Sequence, residues 1–564
     1  MDREIFERNL LALSGQDKEL CTRLSRARTD SQHYQFIPAK TGELIPALRD
    51  ENGQANPLQS IMDPVREARR LLTTVQGPVF LAVFGLAGGD LVSAALERED
   101  ITGILIIEFG IDAVAELLAS RAYHRILGNR RVTFLVDPTA PDIEKAISTR
   151  YLPAFCGGIQ VLPIRQRTRC DRGLFNMAGE AIRGTIGRLS RDYSVQAHFG
   201  KRWFANTLRN ILVANRAISP LPSCRKVIIA AAGPSLDEGY EAMRKRDSSC
   251  FLLASDTALQ HLLARKIVPD GVISIDCQHI SYLHIMEVLP PSTRLFLDLA
   301  SPHQLATQSN QPFFLTSAHP LSRYIAKYWR AFPQVDSSGG NVTHAAVSLA
   351  LSLGARDIHI FGADYAYPKG QAYARGTYIH RLFSLSQSRT APLSAQFFAF
   401  IHRDTSARME KKADSWRIST ETLDAYREAL LAGFAQAPAR IHLGESITGA
   451  GENAESIPEA RFGPHKLSLS GPGPAKMGQR EFLEGYKRQL ARLPRPDSLF
   501  PEYLASLSEN EREVFYTLLP LSAQLRRMHP RDSQHELFDR LIANAMAEVS
   551  RILSILDTKA KSCN

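Results

Sequence analysis

Residues Val227 to Asp237 read VIIAAAGPSLD, and the way this stretch is read decides the fold. An apolar run of strand length ends in Gly233-Pro234-Ser235, and a polar, helix-like segment follows. That order marks the carboxyl end of a buried parallel strand turning sharply into a helix whose first N–H groups lack partners. Gly233 has no side chain to hold a ligand off the backbone, Pro234 presets the first turn, and Ser235 offers a hydroxyl. An anion at such a helix start gains roughly 0.3–1 kcal/mol when exposed, and more when partly buried. A plain strand-to-helix turn with a capping Ser fits the same letters, so both readings stand at this point.

The pattern continues downstream. CFLLASD, GVISIDC, RLFLDLA, PFFLTSA and DIHIFGADY read as strands, separated by helices such as TALQHLLARKI and the small-residue NVTHAAVSLALSLG. Strands alternating with helices predict a doubly wound parallel sheet, with ligands at the carboxyl ends of its strands. Two successive strand ends carry acids, Asp256 followed by Thr257, and Asp276. One such acid is ordinarily a helix cap. Two beside the Gly-Pro-Ser turn suit a ribose hydroxyl, a base amine or a metal ion.

Ser337-Ser338-Gly339-Gly340 opens the small-residue helix and makes a second backbone cradle. The strand after it ends in Asp364, Tyr365 and Tyr367, and Tyr373 and Tyr378 follow on a Gly-rich loop. Phenols donate to a departing phosphate without bringing full charge. His344 and His359 read as packed residues, whereas His380 and His402, in or beyond the loop, are placed to supply a base.

Upstream, PVFLAVFG, ITGILIIEFG and RVTFLVD are strands of a second α/β unit, about residues 76–165. Its Gly85, Gly88 and Gly89, with Glu108 about twenty residues on, approximate a dinucleotide fingerprint, but the spacing departs from G-x-G-x-x-G. A degenerate, structural unit is the expectation. Residues 1 to about 75 read as helices and loops, 174–215 as long amphipathic helices, SPLPSC at 219–224 as a boundary, and LSGPGPAKMG at 469–478 as a linker. The expected domains are 1–218, 219–456 and a helical 457–564.

With 564 residues the chain exceeds one ordinary core. Its seven scattered cysteines, without CxxC, argue against a disulfide framework or a zinc site, and no apolar run is long enough for a bilayer. The charged start MDREIFERNLLALSG lacks the order of a signal peptide, so a cytoplasmic location is expected, with no membrane partner. The net charge of +10 favours anionic partners, yet no basic tract with interleaved aromatics argues for nucleic acid.

AAAGPSL, ASDTALQHLLARKIVPDGVISID, SSGGNVTHAAVSLALSLGARDIHIFGADYAY and YREAL…RIHLGESITGA resemble the central domain of the motility-associated (Maf) flagellin glycosyltransferases, also called MptE-like after an archaeal 6-hydroxymethylpterin diphosphokinase. With FGKRWFANTLRNIL and the upstream α/β unit, the likeness runs from about 75 to 456, and Gly-Pro-Ser-Leu and PDGVISID are its most specific elements. The block is also similar to bacterial sialyltransferases that use CMP-sialic acid. The resemblance implies a central Rossmann-like, sialyltransferase-like domain, preceded by a second Rossmann-like unit and followed by a helical one.

By that resemblance, Gly233, Pro234, Ser235, Asp256, Thr257, Asp276, Ser338, Gly339, Gly340 and Tyr365 would hold a nucleotide-sugar. Tyr367 (or Tyr365) and Tyr373, with Asp364, would be catalytic. No histidine here aligns with the sialyltransferase base. The implied reaction moves a nonulosonic acid from a CMP-activated donor to Ser or Thr of flagellin. No resident cofactor is expected, and a divalent metal requirement stays open. Two alternatives stay beside it: an ATP- and Mg²⁺-dependent pterin diphosphokinase-like transferase using Asp256 and Asp276, and a non-catalytic flagellin-binding or assembly factor.

Overall fold

A computed structural model of the chain describes residues 3–49, 54–215, 223–286, 289–309, 312–412, 415–444, 455–457, 472–497 and 500–563. It divides into two compact units. One is Met1–Gly200 with Leu493–Arg512 and Pro520–Ile542; the other is Lys201–Arg492 with Glu513–Leu519 and Ala543–Asn564. The C-terminal helices are thereby shared between the two. Of the boundary segment at 219–224, only Ser223 and Cys224 fall within the described residues, and the ESITGA end of the fourth matched block falls outside them.

In the first unit, β1 (Tyr34–Pro38), β2 (Leu44–Arg49) and β3 (Ala55–Pro57) make an antiparallel sheet. This corrects the expectation of helices and loops only before residue 75. Pro38, Pro46 and Pro57 break the strand pattern that would have revealed it. The main sheet is parallel, in the order β6-β5-β4-β7, from β4 (Val79–Phe84), β5 (Ile101–Glu108), β6 (Val132–Val136) and β7 (Gly158–Pro163). Every residue of β4 and β5 is buried, as continuous apolar runs in the middle of a covered sheet should be. After β5 the chain forms two helices, Ile111–Ser120 and His124–Leu127, parted at Arg121, whose backbone is extended.

The second unit is built on eight strands. These are β8 (Lys226–Ala230), β9 (Cys250–Ser255), β10 (Gly271–Ser274), β11 (Arg294–Asp298), β12 (Phe313–Leu315), β13 (Asp357–Phe361), β17 (Arg440–Leu443) and β18 (Glu455–Ile457). Between β13 and β17 the chain forms a small antiparallel sheet of β14 (Tyr367–Pro368), β15 (Arg408–Lys412) and β16 (Ser415–Ser419). The large sheet runs β12-β11-β10-β9-β8-β13-β17-β18, parallel except at β18. Val227, Ile229, Leu253, Ile273 and Phe296 pack under Ala345, Ala346, Val347, Leu349 and Ala350 of the helix Val342–Ser352. Small side chains let that helix lie close to the sheet, and each larger one buried contributes roughly 1.5–3 kcal/mol.

The described part of the expected linker, 472–478, is packed. Gly473 and Lys476 donate their N–H groups to the carbonyls of Ala331 and Trp329, at 2.9 and 2.8 Å. The helix Gln479–Arg492 then sets Phe482 against Trp329 and Tyr486 against Tyr324. Among the described residues no helix is long and apolar enough to cross a membrane.

Candidate active site at the strand tips

Strand β8 lies at the centre of the large sheet, with β9 to β12 on one side and β13 and β17 on the other. The crevice above the tips of β8 and β13 is therefore the topological switch point, where doubly wound sheets bind ligands. Pairing extends past both strands: Ala231 N–H donates to Phe361 O and Gly233 N–H to Gly362 O, each at 2.8 Å. The Gly-Pro-Ser turn is thus held against the end of β13, and the helix after it is a 3₁₀ turn, Pro234–Gly239.

What lies against Gly233 is the protein's own carboxylate. A Cβ there would stand 2.1 Å from Asp364 Oδ2 and 2.6 Å from Gly362 O. The same Oδ2 accepts the Ser235 N–H at 3.2 Å. Burial pushes the Asp364 carboxyl above its ordinary range, against the hydrogen bonds from Ser235. Glu238 is also raised, by burial and then by the Asp364 charge.

Neighbouring tips carry further acids. Asp256 is buried, with Oδ2 accepting from Ser274 Oγ at 2.6 Å and Oδ1 from the Thr257 N–H at 2.7 Å. It clamps β9 to β10. Asp276 accepts from the Gln278 N–H at 3.0 Å, and burial, with Asp256 adding, raises its pKa. Asp298, not singled out from sequence although RLFLD carries it to the end of β11, is buried and pushed up to about 6 by desolvation. Asn206 and Asn210 of the helix Arg172–Ala214 donate to carbonyls just beyond β10 and β11: Asn206 to Cys277 O at 3.4 Å and Ala300 O at 3.0 Å, Asn210 to Leu299 O at 2.9 Å. That spacing of four along one helix face accounts for the FANTLRNIL block.

The tyrosine segment, expected as a free loop, is anchored at three points. Tyr367 pairs with Ile418 of β16, Ala374 N–H donates to Ala232 O at 2.9 Å, and Arg375 O meets His261 Nδ1. Its anchoring strands were not announced by the sequence, because β15 is charged (RMEKK) and the alternation of β16 (SWRIS) spans only five residues. Tyr365 has φ 46°, a left-handed conformation costing ~1–2 kcal/mol for a non-glycine residue, and it packs on the core. Tyr367 and Tyr373 instead flank the Phe400 ring, at centroid distances of 6.5 and 5.9 Å. Burial, aided by Tyr367 and Asp256, pushes the Tyr373 phenol up to about 12. Tyr367 is raised by burial, then by Asp404 and Tyr426.

Tyr426, like Asp298, was not singled out from sequence. It lies on the helix Glu421–Gly433, and its pKa is raised by burial and then by Asp276. Gly340 (φ 72°) exists for it, since a Cβ there would be 2.8 Å from the Tyr426 ring. Gly339 similarly makes room for His344, 2.2 Å from where a Cβ would be. The cap of the following helix is Asn341, which accepts the His344 N–H at 3.0 Å, and Ser338 N–H donates to Asp336 at 2.8 Å. Within this segment the described backbone donors are thus partly used internally.

The histidines separate. His380, on the helix Tyr378–Leu385, packs on Phe397 at 5.7 Å, within the same aromatic group as Phe383 and Phe400, and burial lowers its pKa. His402 is exposed and stacks on Phe398. His284, buried beside Tyr378, is likewise lowered by burial. Chemically, the crevice combines phenols that hold their protons at neutral pH with carboxyls drawn toward their neutral forms. Such groups can donate to a leaving anion or accept from sugar hydroxyls.

In the first unit the glycine-rich turn is filled. A Cβ on Gly85 would meet Arg167 Cγ at 2.9 Å, and Glu108 binds Arg167 Nε at 2.9 Å and the Leu86 N–H at 2.6 Å. Gly88 N–H donates to Gln59 Oε1 at 2.7 Å.

Comparison with known proteins agrees with this architecture. Residues 202–370 match the model of the 6-hydroxymethylpterin diphosphokinase MptE-like family. An uncharacterized protein of Treponema pallidum (strain Nichols) is 32% identical over 160 residues, 28% of this chain and 76% of that one. A second from the same organism is 25% identical over 264 residues, 46% of this chain and 57% of its own length. Among solved structures, the Maf glycosyltransferase from Magnetospirillum magneticum AMB-1 superposes with a TM-score of 0.56 at 14% identity, covering 98% of this chain and 91% of that one. The chain belongs to the MptE-like family, with the fold of a Maf glycosyltransferase.

Proposed function

We propose that the chain is a protein O-glycosyltransferase that moves a nonulosonic acid, of pseudaminic or legionaminic type, from a CMP-activated donor to a Ser or Thr of flagellin. The observation that carries this reading is the gathering of Tyr367 and Tyr373 around one aromatic ring above the switch point. The fold shared with a Maf glycosyltransferase supports it.

In this reading the donor phosphate enters beside Ser235, where Asp364 now takes the N–H. Burial already favours the neutral form of Asp364, and an adjacent phosphate favours it further, so the carboxyl donates to the phosphate instead of repelling it. As the anomeric C–O bond breaks, its electron pair goes to the phosphate oxygen, and the two phenols meet the charge that develops there. The acceptor hydroxyl attacks the anomeric carbon and gives its proton to His380, which burial keeps neutral and which shares the aromatic group around the tyrosines. A protein acceptor suits the exposed apolar side chains of the 378–419 segment, Leu382, Leu385, Phe398, Met409 and Trp416. The net charge of +10 draws the anionic donor at long range.

The test is the mass of flagellin after incubation with the chain and a CMP-nonulosonate. One added nonulosonic acid residue, absent with Tyr373→Phe or Ser235→Ala, is expected; an unchanged mass with the active partner set complete overturns the proposal. The pair Asp256 and Asp276, where one charge raises the other's pKa, favours a second reading, Mg²⁺-dependent use of ATP. Thermal shifts separate them: CMP alone stabilises in the first, ATP with Mg²⁺ in the second.

A further inference from the structure

Between the start and the middle of β13, before the strand reaches the crevice, two imidazoles and a carboxylate share one face of the large sheet. His359 and His442 are cross-strand partners on β13 and β17, and Asp357 lies two residues before His359, so the period of two puts all three side chains on the same side. The two rings stack with centroids 4.5 Å apart and planes 11° apart. Both Nε2 atoms converge on the one carboxylate: His359 on Oδ2 at 3.3 Å, His442 on Oδ1 at 3.2 Å. One ligand atom from each residue lies within 4.8 Å of the others.

These separations bear on what the cluster is for. A charge-assisted hydrogen bond closes to about 2.7–2.9 Å. Ligands held tetrahedrally at ~2.0–2.1 Å from a zinc ion stand about 3.3–3.4 Å from one another. The observed 3.2 and 3.3 Å match the second spacing on the two nitrogen–oxygen edges, and one of the two stacked rings turns about its χ2 for both nitrogen lone pairs to meet a single ion. His359 is nearly enclosed at 9% side-chain exposure, whereas His442 at 15% and Asp357 at 39% leave an opening for the ion and for water to complete its shell.

We propose that Asp357, His359 and His442 form a divalent transition-metal site of the zinc class that ties β17 to β13. Two imidazoles with one carboxylate are a donor set for Zn²⁺ and not for Mg²⁺ or Ca²⁺, which take oxygen ligands. No cysteine takes part, which is why cysteine spacing gave no hint of it. The clip stands apart from the strand-tip crevice and does not depend on what that crevice binds.

The test uses the full chain without a histidine tag, stripped with a chelator and titrated with Zn²⁺ alone. One Zn²⁺ per chain after gel filtration is expected, with the thermal midpoint raised by about 3–5 °C at a hundredfold excess over Kd. His442→Gln, at a partly exposed position, should lose both effects, and His402→Gln should keep them. Replacement by Co²⁺ should give the visible absorption bands of a tetrahedral nitrogen and oxygen site in the wild-type chain, a readout independent of whether any variant folds. Absence of stoichiometric Zn²⁺ in the wild type, or equal binding by His442→Gln, overturns the proposal.

Discussion

At the tip of β5 the Glu108 carboxylate is fully buried on Arg167, while at the tip of β13 the half-buried Asp364 carboxylate rests on a backbone N–H, with Glu238 as its charged neighbour. Both acids end central strands of parallel sheets, and both lie by a glycine that could not bear a side chain. The first glycine is crowded by a cation that neutralises the acid; the second is crowded by the acid itself. A tip whose charge is matched internally is finished as structure. A tip whose charge is met, among the described residues, by dipoles and like charges has electrostatic energy to release when a ligand or a proton arrives.

That contrast can be broken most forcefully at Arg167. Arg167→Ala leaves Glu108 buried without its partner and should cost the first unit about 3–5 kcal/mol, read as lost hydrogen-exchange protection in β4 and β5. Unchanged protection would mean that the pair does not hold this tip together. Next is Tyr373→Phe, which should lower transfer about 10²–10³-fold with the melting midpoint held, if its hydroxyl meets charge on the leaving phosphate. A midpoint that falls in step with the rate would make the phenol a packing residue.

Gly340→Ala should be milder, about 1–2 kcal/mol by thermal unfolding, because its φ is 72° and its Cβ would press on Tyr426. Combining it with Tyr426→Ala should recover the steric part only; full recovery would show that the backbone conformation is not the cost. The smallest effect is the pH dependence at Asp364. Its folded pKa lies above the unfolded one, so the native state holds a proton that the unfolded chain has lost, and the site weakens stability as pH rises from about 4 through the folded value. Asp364→Asn removes that slope, so its melting midpoint should gain on the wild type as pH increases. A constant difference across that range would show that the carboxyl is not buried in this way.

Much of the α/β frame was legible. VFLAVF, ILIIE, VIIA and CFLLAS are apolar runs bounded by turn residues, and they form β4, β5, β8 and β9. The antiparallel sheet before residue 75 and the hairpin β15–β16 were not, because proline and charge obscure their period. Tyr365, Tyr367 and Tyr373 could be picked out together, but not sorted. Only the pairing of Tyr367 with Ile418 and the packing of Tyr365 on the core divide them. Tyr426 opens the YREAL block of the resemblance, yet it sits in an ordinary amphipathic helix some sixty residues beyond the strand it serves, and nothing local sets it apart as a site residue.

The order of letters was sufficient for the alternation of strands and helices, the glycine turn and the acids at strand ends, since each is a local matter of period, φ and chain direction. Which strand lies beside which, that Asp364 rests on Gly233, and that His359 meets His442 were settled only when distant segments were brought together. The reason is physical: a carboxylate's partner, and hence its charge state, depends on burial and on neighbours tens to more than a hundred residues away in the chain, and these do not exist until the sheet has closed around them.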